Sequence, residues 1–117
     1  LKYAKDYRLL TPEAFRYVFE KPKKISGEAI DFYIRKNHKT HPRLGLAVPK
    51  RALKSAVMRN RMRRQLREQF RLSAGSLGGY DIVAMVKPGI LRFPVSDYNK
   101  VVTEHWQWFL TQCDISV

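Results

Sequence analysis

The sequence is short of acidic residues, short of cysteine and without any long apolar run. Its 117 residues hold 10 Asp and Glu against 23 Lys and Arg, for a formal net charge of +13. A compact chain with that imbalance repels itself unless a polyanion offsets it, which makes nucleic acid the leading partner class. A membrane surface is the rival polyanion, but no stretch approaches the roughly 20 apolar residues that a spanning helix needs. The stretch Leu1 to Leu10 does not read as a signal peptide, because Lys2, Lys5, Asp6 and Arg8 break up any apolar segment. The single cysteine, Cys113, can close no internal disulfide, so a reducing, cytoplasmic setting is expected.

Catalytic and metal-binding patterns are missing as well. The three histidines are scattered; His38 and His41 form an H-x₂-H pair in a polar stretch with no Cys or carboxylate cluster beside it, which points to surface polarity rather than a metal. His105 reads as a tolerated residue at the edge of a core. There is no glycine-rich phosphate loop, and Gly78-Gly79 reads as a turn. The expectation is a protein with no catalytic site, no metal site of its own and no small-molecule substrate.

What is present is enough apolar material to fold. Hydrophobic residues make up 44% and aromatics 12% of the chain, unlike a disordered basic tail, and the length suits one domain over residues 1–117. A first helix is expected from Pro12 to Glu20, capped by Thr11, with Pro12 at its first position and Glu13 favoured by the helix dipole. Leu10 could staple to Phe15, and Phe15, Val18 and Phe19 share one face. Three segments alternate with the period of a strand: Ile30, Phe32 and Ile34; Leu44, Leu46 and Val48; Ile82, Ala84 and Val86. A short strand around Lys24 to Ser26 is possible, and Asn37 to Pro42 reads as a loop. A long helix is expected from about Ala52 to Leu72, ended by the Ser73 to Gly79 cluster. A last helix is expected from about Asp97 to Gln112, capped by Ser96, with Tyr98, Val101, Val102, His105, Phe109 and Cys113 inward. The order is α-β-β-β-α-β-α, an α+β sandwich of helices on a small sheet.

The long helix carries the functional signal. Lys50 to Arg71 contains nine basic residues and one acidic residue, Glu68. At about 100° per residue, Met58, Met62, Leu66 and Phe70 occupy one arc. Asn60, Arg63, Arg64, Arg67 and Arg71 gather on an adjoining arc, with Arg59 at the border and Arg61 apart. An ordinary solvated helix gains from mixed signs, whereas like charges at i,i+4, such as Arg59 with Arg63 and Arg63 with Arg67, destabilise it. An external phosphate backbone removes that conflict, and the guanidinium fork suits phosphate well.

The run Ala56 to Glu68, with Arg59-Asn60-Arg61 at its centre, resembles the signature helix of the bacterial ribonuclease P protein family. Arg43 to Arg51 is similar to the family's strand leading into that helix, Phe15-Arg16-Tyr17-Val18-Phe19 to its F-x-x-V-F element, and Tyr80 to Lys87 to its next strand. Two positions depart from the pattern: Arg63 stands for the usual lysine and Lys87 for the usual arginine. Pro49 stands where a small or polar residue is usual.

The resemblance implies a four-stranded sheet packed by helices, related to a ribosomal-protein domain, with a left-handed βαβ crossover through the basic helix. It implies a subunit of ribonuclease P that assists removal of the 5′ leader from precursor tRNA, with catalysis and Mg²⁺ belonging to the RNA subunit. Arg59, Asn60, Arg61, Arg63, Arg64 and Arg67 would contact the catalytic RNA, and Phe15, Phe19 and Tyr33 would line a cleft for the leader. A structural RNA-binding protein of ribosomal type, with no part in cleavage, is the first alternative. A DNA-binding protein with the basic helix in a major groove is the second, though few base-reading residues interleave with the arginines.

Overall fold

The computed structural model describes residues 5–113; residues 1–4 and 114–117, and with them Lys2 of the stretch Leu1 to Leu10, lie outside the described part. Three helices and four strands follow in the order α1 (Pro12–Glu20), β1 (Lys23–Ser26), β2 (Ile30–Lys36), β3 (Arg43–Ala47), α2 (Ala56–Leu77), β4 (Tyr80–Val86) and α3 (Tyr98–Gln112). The strands form one sheet in the order β1-β2-β4-β3. β1 and β2 are antiparallel, as are β2 and β4, while β3 and β4 are parallel. A parallel pair needs a crossover, and α2 supplies it.

Strand alternation divides the molecule into layers. Ile30, Phe32, Ile34, Leu44, Ile82, Ala84 and Val86 face the main core, where Met62, Leu66 and Phe70 of α2 and Val102, Trp106 and Phe109 of α3 meet them. Phe32 stacks on Phe109 at 4.5 Å, and Trp106 stands edge-on to Phe32 at 5.7 Å. The opposite sheet face carries a smaller cluster of Leu9, Val18 and Val83, against which Phe15, Tyr17 and Tyr33 pack. α1 therefore covers part of the second face, and the sandwich has helices on both sides of its sheet. Before α1, the chain lies along the edge strand β3: Arg8 bridges Leu44 in parallel and the Leu9 amide donates to the Leu44 carbonyl at 3.1 Å. That segment covers an edge that would otherwise present unpaired backbone groups.

Several boundaries differ from the sequence reading. α2 begins at Ala56, where Ser55 Oγ caps the Met58 amide at 3.3 Å. Ala52 and Leu53 are buried in the preceding turn instead, their amides bonded to the Pro49 carbonyl at 3.0 and 3.2 Å. Pro49, which matched no family pattern, thus opens the turn that sets the start of the basic helix. At its other end α2 runs through Ser73, Ala74 and Gly75 and stops at Leu77, with Gly78 beyond it at φ 66°, a conformation suited to glycine. Tertiary contact explains the extra length: Ser73 Oγ accepts from the buried Trp106 indole at 2.9 Å, and Ala74 and Leu77 are in the core. Local glycine and serine content gives way to that burial.

α3 starts at Tyr98, and Ser96 lies in a 3₁₀ turn (Val95–Asp97) rather than acting as its cap. Its inner stripe includes Trp106 and Leu110, both absent from the expected stripe. The staple is also shifted: Leu10 is exposed and Leu9 is buried. A β-carbon on Gly45 would meet the Phe15 ring at 2.7 Å and Leu9 Cδ1 at 3.0 Å, so glycine there lets both approach the sheet.

His105 holds more than a core edge. Its Nδ1 donates to the Val101 carbonyl at 2.8 Å, which leaves Nε2 to accept from the buried Ala29 amide at 3.0 Å. The ring thereby ties the β1–β2 turn to α3. His105→Leu leaves that amide without a partner and is expected to cost about 1–3 kcal/mol. Urea unfolding would measure it, and an unchanged midpoint would remove His105 from the stabilising contacts.

Candidate nucleic-acid interface

Two candidate surfaces carry the residues singled out by sequence, one on α2 and one on the sheet face that α1 leaves open. On α2, the apolar arc Met62, Leu66 and Phe70 is buried and Met58 is half-buried, so the arc carrying Asn60, Arg64 and Arg67 is turned outward. The arginines are held differently from one another. Arg59 Nη1 donates to the Leu53 and Lys54 carbonyls at 2.9 and 2.8 Å, binding the turn before α2 to its first residues. Arg61 reaches across to Asn99 Oδ1 of α3 at 3.3 Å. Arg63 donates to Asn60 Oδ1 at 2.9 Å, while Arg64 and Arg67 are exposed. The one carboxylate of the segment, Glu68, is taken by Arg71 through bonds of 3.0 and 2.6 Å. Those bonds hold the Glu68 carboxyl below its ordinary range and the Arg71 guanidinium above its own. Glu68 is thus committed to the far end of the segment, beyond Asn60 to Arg67.

On the sheet, Phe15, Phe19 and Tyr33 lie on the same face, but only two of them form an accessible corner. Phe19 stands edge-on to Tyr33 at 4.8 Å, and Lys24 Nζ lies 5.5 Å from the Tyr33 ring centre. Phe15 is half-buried in the smaller cluster. Tyr17 and Arg35 lock α1 onto β2: Arg35 Nη1 donates to the Tyr17 carbonyl at 2.6 Å, its guanidinium sits 3.7 Å from the Tyr17 ring centre, and Tyr17 Oη donates to the Lys36 carbonyl at 2.7 Å. The aromatic corner is therefore on a fixed platform.

Lys24 and Lys87 were not singled out as site residues by sequence. Both gather around Asp31, a buried acid on the same face: Lys87 Nζ is 3.0 Å from Asp31 Oδ1 and Lys24 Nζ 3.9 Å from Oδ2, with Ser26 Oγ donating to Oδ1 at 2.7 Å. The register Lys24↔Tyr33 and Ser26↔Asp31 brings Lys24 to Asp31, and the pairing Ile30↔Val86 between β2 and β4 brings Lys87; strand pairing is not readable from composition.

An ion pair between the partly exposed Arg43 and the buried Asp81 sets the end of the sheet from which the loop to β3 leaves. Asp81 is fully buried; Arg43 donates to it through Nε at 2.8 Å and Nη2 at 2.6 Å, and Asn37 Nδ2 donates to it at 2.9 Å. The Asp81 hydrogen bonds raise the Arg43 pKa above its ordinary value. Asn37 also donates to the His41 carbonyl and accepts from the Lys39 amide, so the polar loop is anchored to the sheet by a buried residue. His38 in that loop has φ 59°, and no group of three His, Cys, Asp or Glu among the described residues could hold a metal ion. No helix among the described residues is long and apolar enough to cross a membrane.

A layered α+β fold with an outward arginine arc and an aromatic, lysine-flanked sheet face has the charge and exposed rings that characterise the class of small basic RNA-binding proteins. The ribonuclease P family model matches residues 3–109, so this chain belongs to the ribonuclease P protein family. The ribonuclease P protein component of Haemophilus influenzae (strain PittGG) is 44% identical over 107 residues, covering 92% of this chain and 90% of its own. That of Aliivibrio fischeri is 38% identical over 104 residues, with 89% of each chain covered. Among solved structures, a Staphylococcus aureus RNase P protein mutant with defective mRNA degradation activity superposes with a TM-score of 0.79 at 23% identity, over 96% of this chain and 92% of that one. The Thermotoga maritima RNase P protein gives 0.68 at 26% identity, over 85% and 94%. Membership places the chain with an endoribonuclease complex and makes RNase P RNA its partner.

Proposed function

We propose that this chain, acting as one domain, binds the catalytic RNA of ribonuclease P through Asn60, Arg61, Arg63, Arg64 and Arg67 and receives the 5′ leader of precursor tRNA on the face of Phe19 and Tyr33. Arg59 contributes from the border, where it also fixes the turn before α2. The observation that carries this reading is the outward arginine arc of α2, whose like charges at helical spacing favour an external polyanion over solvent. The protein supplies no catalytic group; hydrolysis and the Mg²⁺ it requires belong to the RNA subunit, in the bacterial cytoplasm. Arginines placed between two RNA backbones lower their repulsion and so reduce the Mg²⁺ needed for assembly.

Bases stack on aromatic faces whatever their identity, which suits an enzyme that accepts many leaders, and each such contact is worth roughly 1–3 kcal/mol. The test is reconstitution with a bacterial RNase P RNA and precursor tRNA at low Mg²⁺, where the protein should stimulate cleavage. Absence of stimulation would leave a structural RNA-binding protein in its place. In the same assay Tyr33→Ala should weaken precursor binding by about 5- to 150-fold and leave mature tRNA nearly unaffected. Equal losses for both would mean disturbed assembly.

A further inference from the structure

We propose a second RNA phosphodiester-binding site, separate from the α2 arginines, in the cavity between the N-terminal segment and the loop joining β2 to β3. It deepens the RNA-binding reading above and rests on it. The cavity, about 310 Å³, is lined by Lys5, Arg8, Lys39, His41 and Arg43, with Asp6 the one carboxylate in its lining. That volume accommodates a phosphate with its sugar.

The walls are held by bonds that leave the lysines out. His41 Nε2 donates to the Asp6 carbonyl at 2.9 Å and its ring lies 5.0 Å from that of Tyr7, so the loop is clasped to the N-terminal segment. Arg43 is fixed from behind by Asp81, which neutralises its charge. Lys5 and Lys39 are exposed, and neither has an ion-pair partner among the described residues. Two uncommitted ammonium groups beside Arg8, around a preorganised concavity, are suited to an anion.

Position selects RNA among anions. The neighbouring cavity is lined by Tyr7, His41, Arg71 and Gly78, so the C-terminal end of α2 abuts the same clasp. An RNA backbone following Arg64 and Arg67 toward Arg71 would pass the Tyr7–His41 pair and reach Lys5 and Lys39. The source is either the catalytic RNA or precursor tRNA; both present the same phosphodiester.

The variant Lys5→Gln/Lys39→Gln tests the site without touching Asp81, His41 or the α2 arginines. Its control, Arg92→Gln/Lys100→Gln, makes the same charge change at exposed residues paired with Glu28 and Glu104. Affinity would be measured against salt for three ligands: the catalytic RNA, precursor and mature tRNA on the holoenzyme, and a uridine oligomer with no folded structure. The slope of log K against log salt should fall by about 0.7–0.9 per lost contact for the double variant and by less for the control. A fall with catalytic RNA assigns the site to that strand, and a fall with precursor but not mature tRNA assigns it to the leader. Slopes equal to the control with every ligand would overturn the proposal. If the wild-type protein fails to stimulate cleavage while the uridine-oligomer slope still falls, the site stands as an RNA site and the ribonuclease P reading is what fails.

Discussion

Replacing Arg43 with alanine is expected to destabilise the fold by about 3–5 kcal/mol, because it leaves the fully buried Asp81 carboxylate without its cation, whereas Asp81→Ala leaves a partly exposed guanidinium that water can reach and is expected to cost less. Asp81 would lose both of its bonds from the guanidinium and keep the one from Asn37. The damage extends beyond one contact, since Asp81 and Arg43 are register partners across β4 and β3 and Asn37 anchors the loop through His41 and Lys39. Chemical denaturation of Asp81→Ala, Arg43→Ala and the double variant separates the effects. The double variant should be less destabilised than the sum of the singles, because removing both partners leaves no uncompensated charge. Additive losses would mean that the two side chains act independently and that the short bonds contribute little as a pair.

The triple variant Arg63→Ala/Arg64→Ala/Arg67→Ala should flatten the salt dependence of binding to the catalytic RNA by about 2 to 3 in slope, if each arginine meets one phosphate. Arg59 is left out because its guanidinium holds the Leu53 and Lys54 carbonyls, and its loss would disturb the approach to α2 as well as the RNA contact. Helix content should be unchanged or slightly higher by circular dichroism, since alanine is the better helix former. A folded triple variant with the wild-type slope would mean that the arc faces solvent in the complex.

The differences between sequence reading and structure follow a physical pattern. The apolar periodicity of α2 and the alternation of β2 and β4 correctly placed Met62, Leu66, Phe32 and Ile82 inside, because those periods are properties of single elements. The end of α2 was misread because Ser73, Ala74 and Gly75 look like a loop when taken alone. Trp106 is 33 residues away from Ser73 in sequence, so no local pattern could show that its indole donates to the Ser73 hydroxyl. Among the site residues, Tyr33 lies between Phe32 and Ile34, so the two-residue period of β2 puts it on the face opposite the main core. Its neighbours Phe19 and Lys24 come from two other elements and meet it only through packing and register.

The sequence by itself determined the charge, the amphipathic stripe and arginine arc of α2, the two-residue period of the strands and the family signature, all of which are written in neighbouring residues. Tertiary structure alone decided that Asp81 is a buried anchor, that α1 lies on the sheet face opposite α2 and α3, and that Lys5 and Lys39 share a cavity. Each of these depends on which distant segments pair, and pairing is settled by the burial and hydrogen bonding of the whole chain at once.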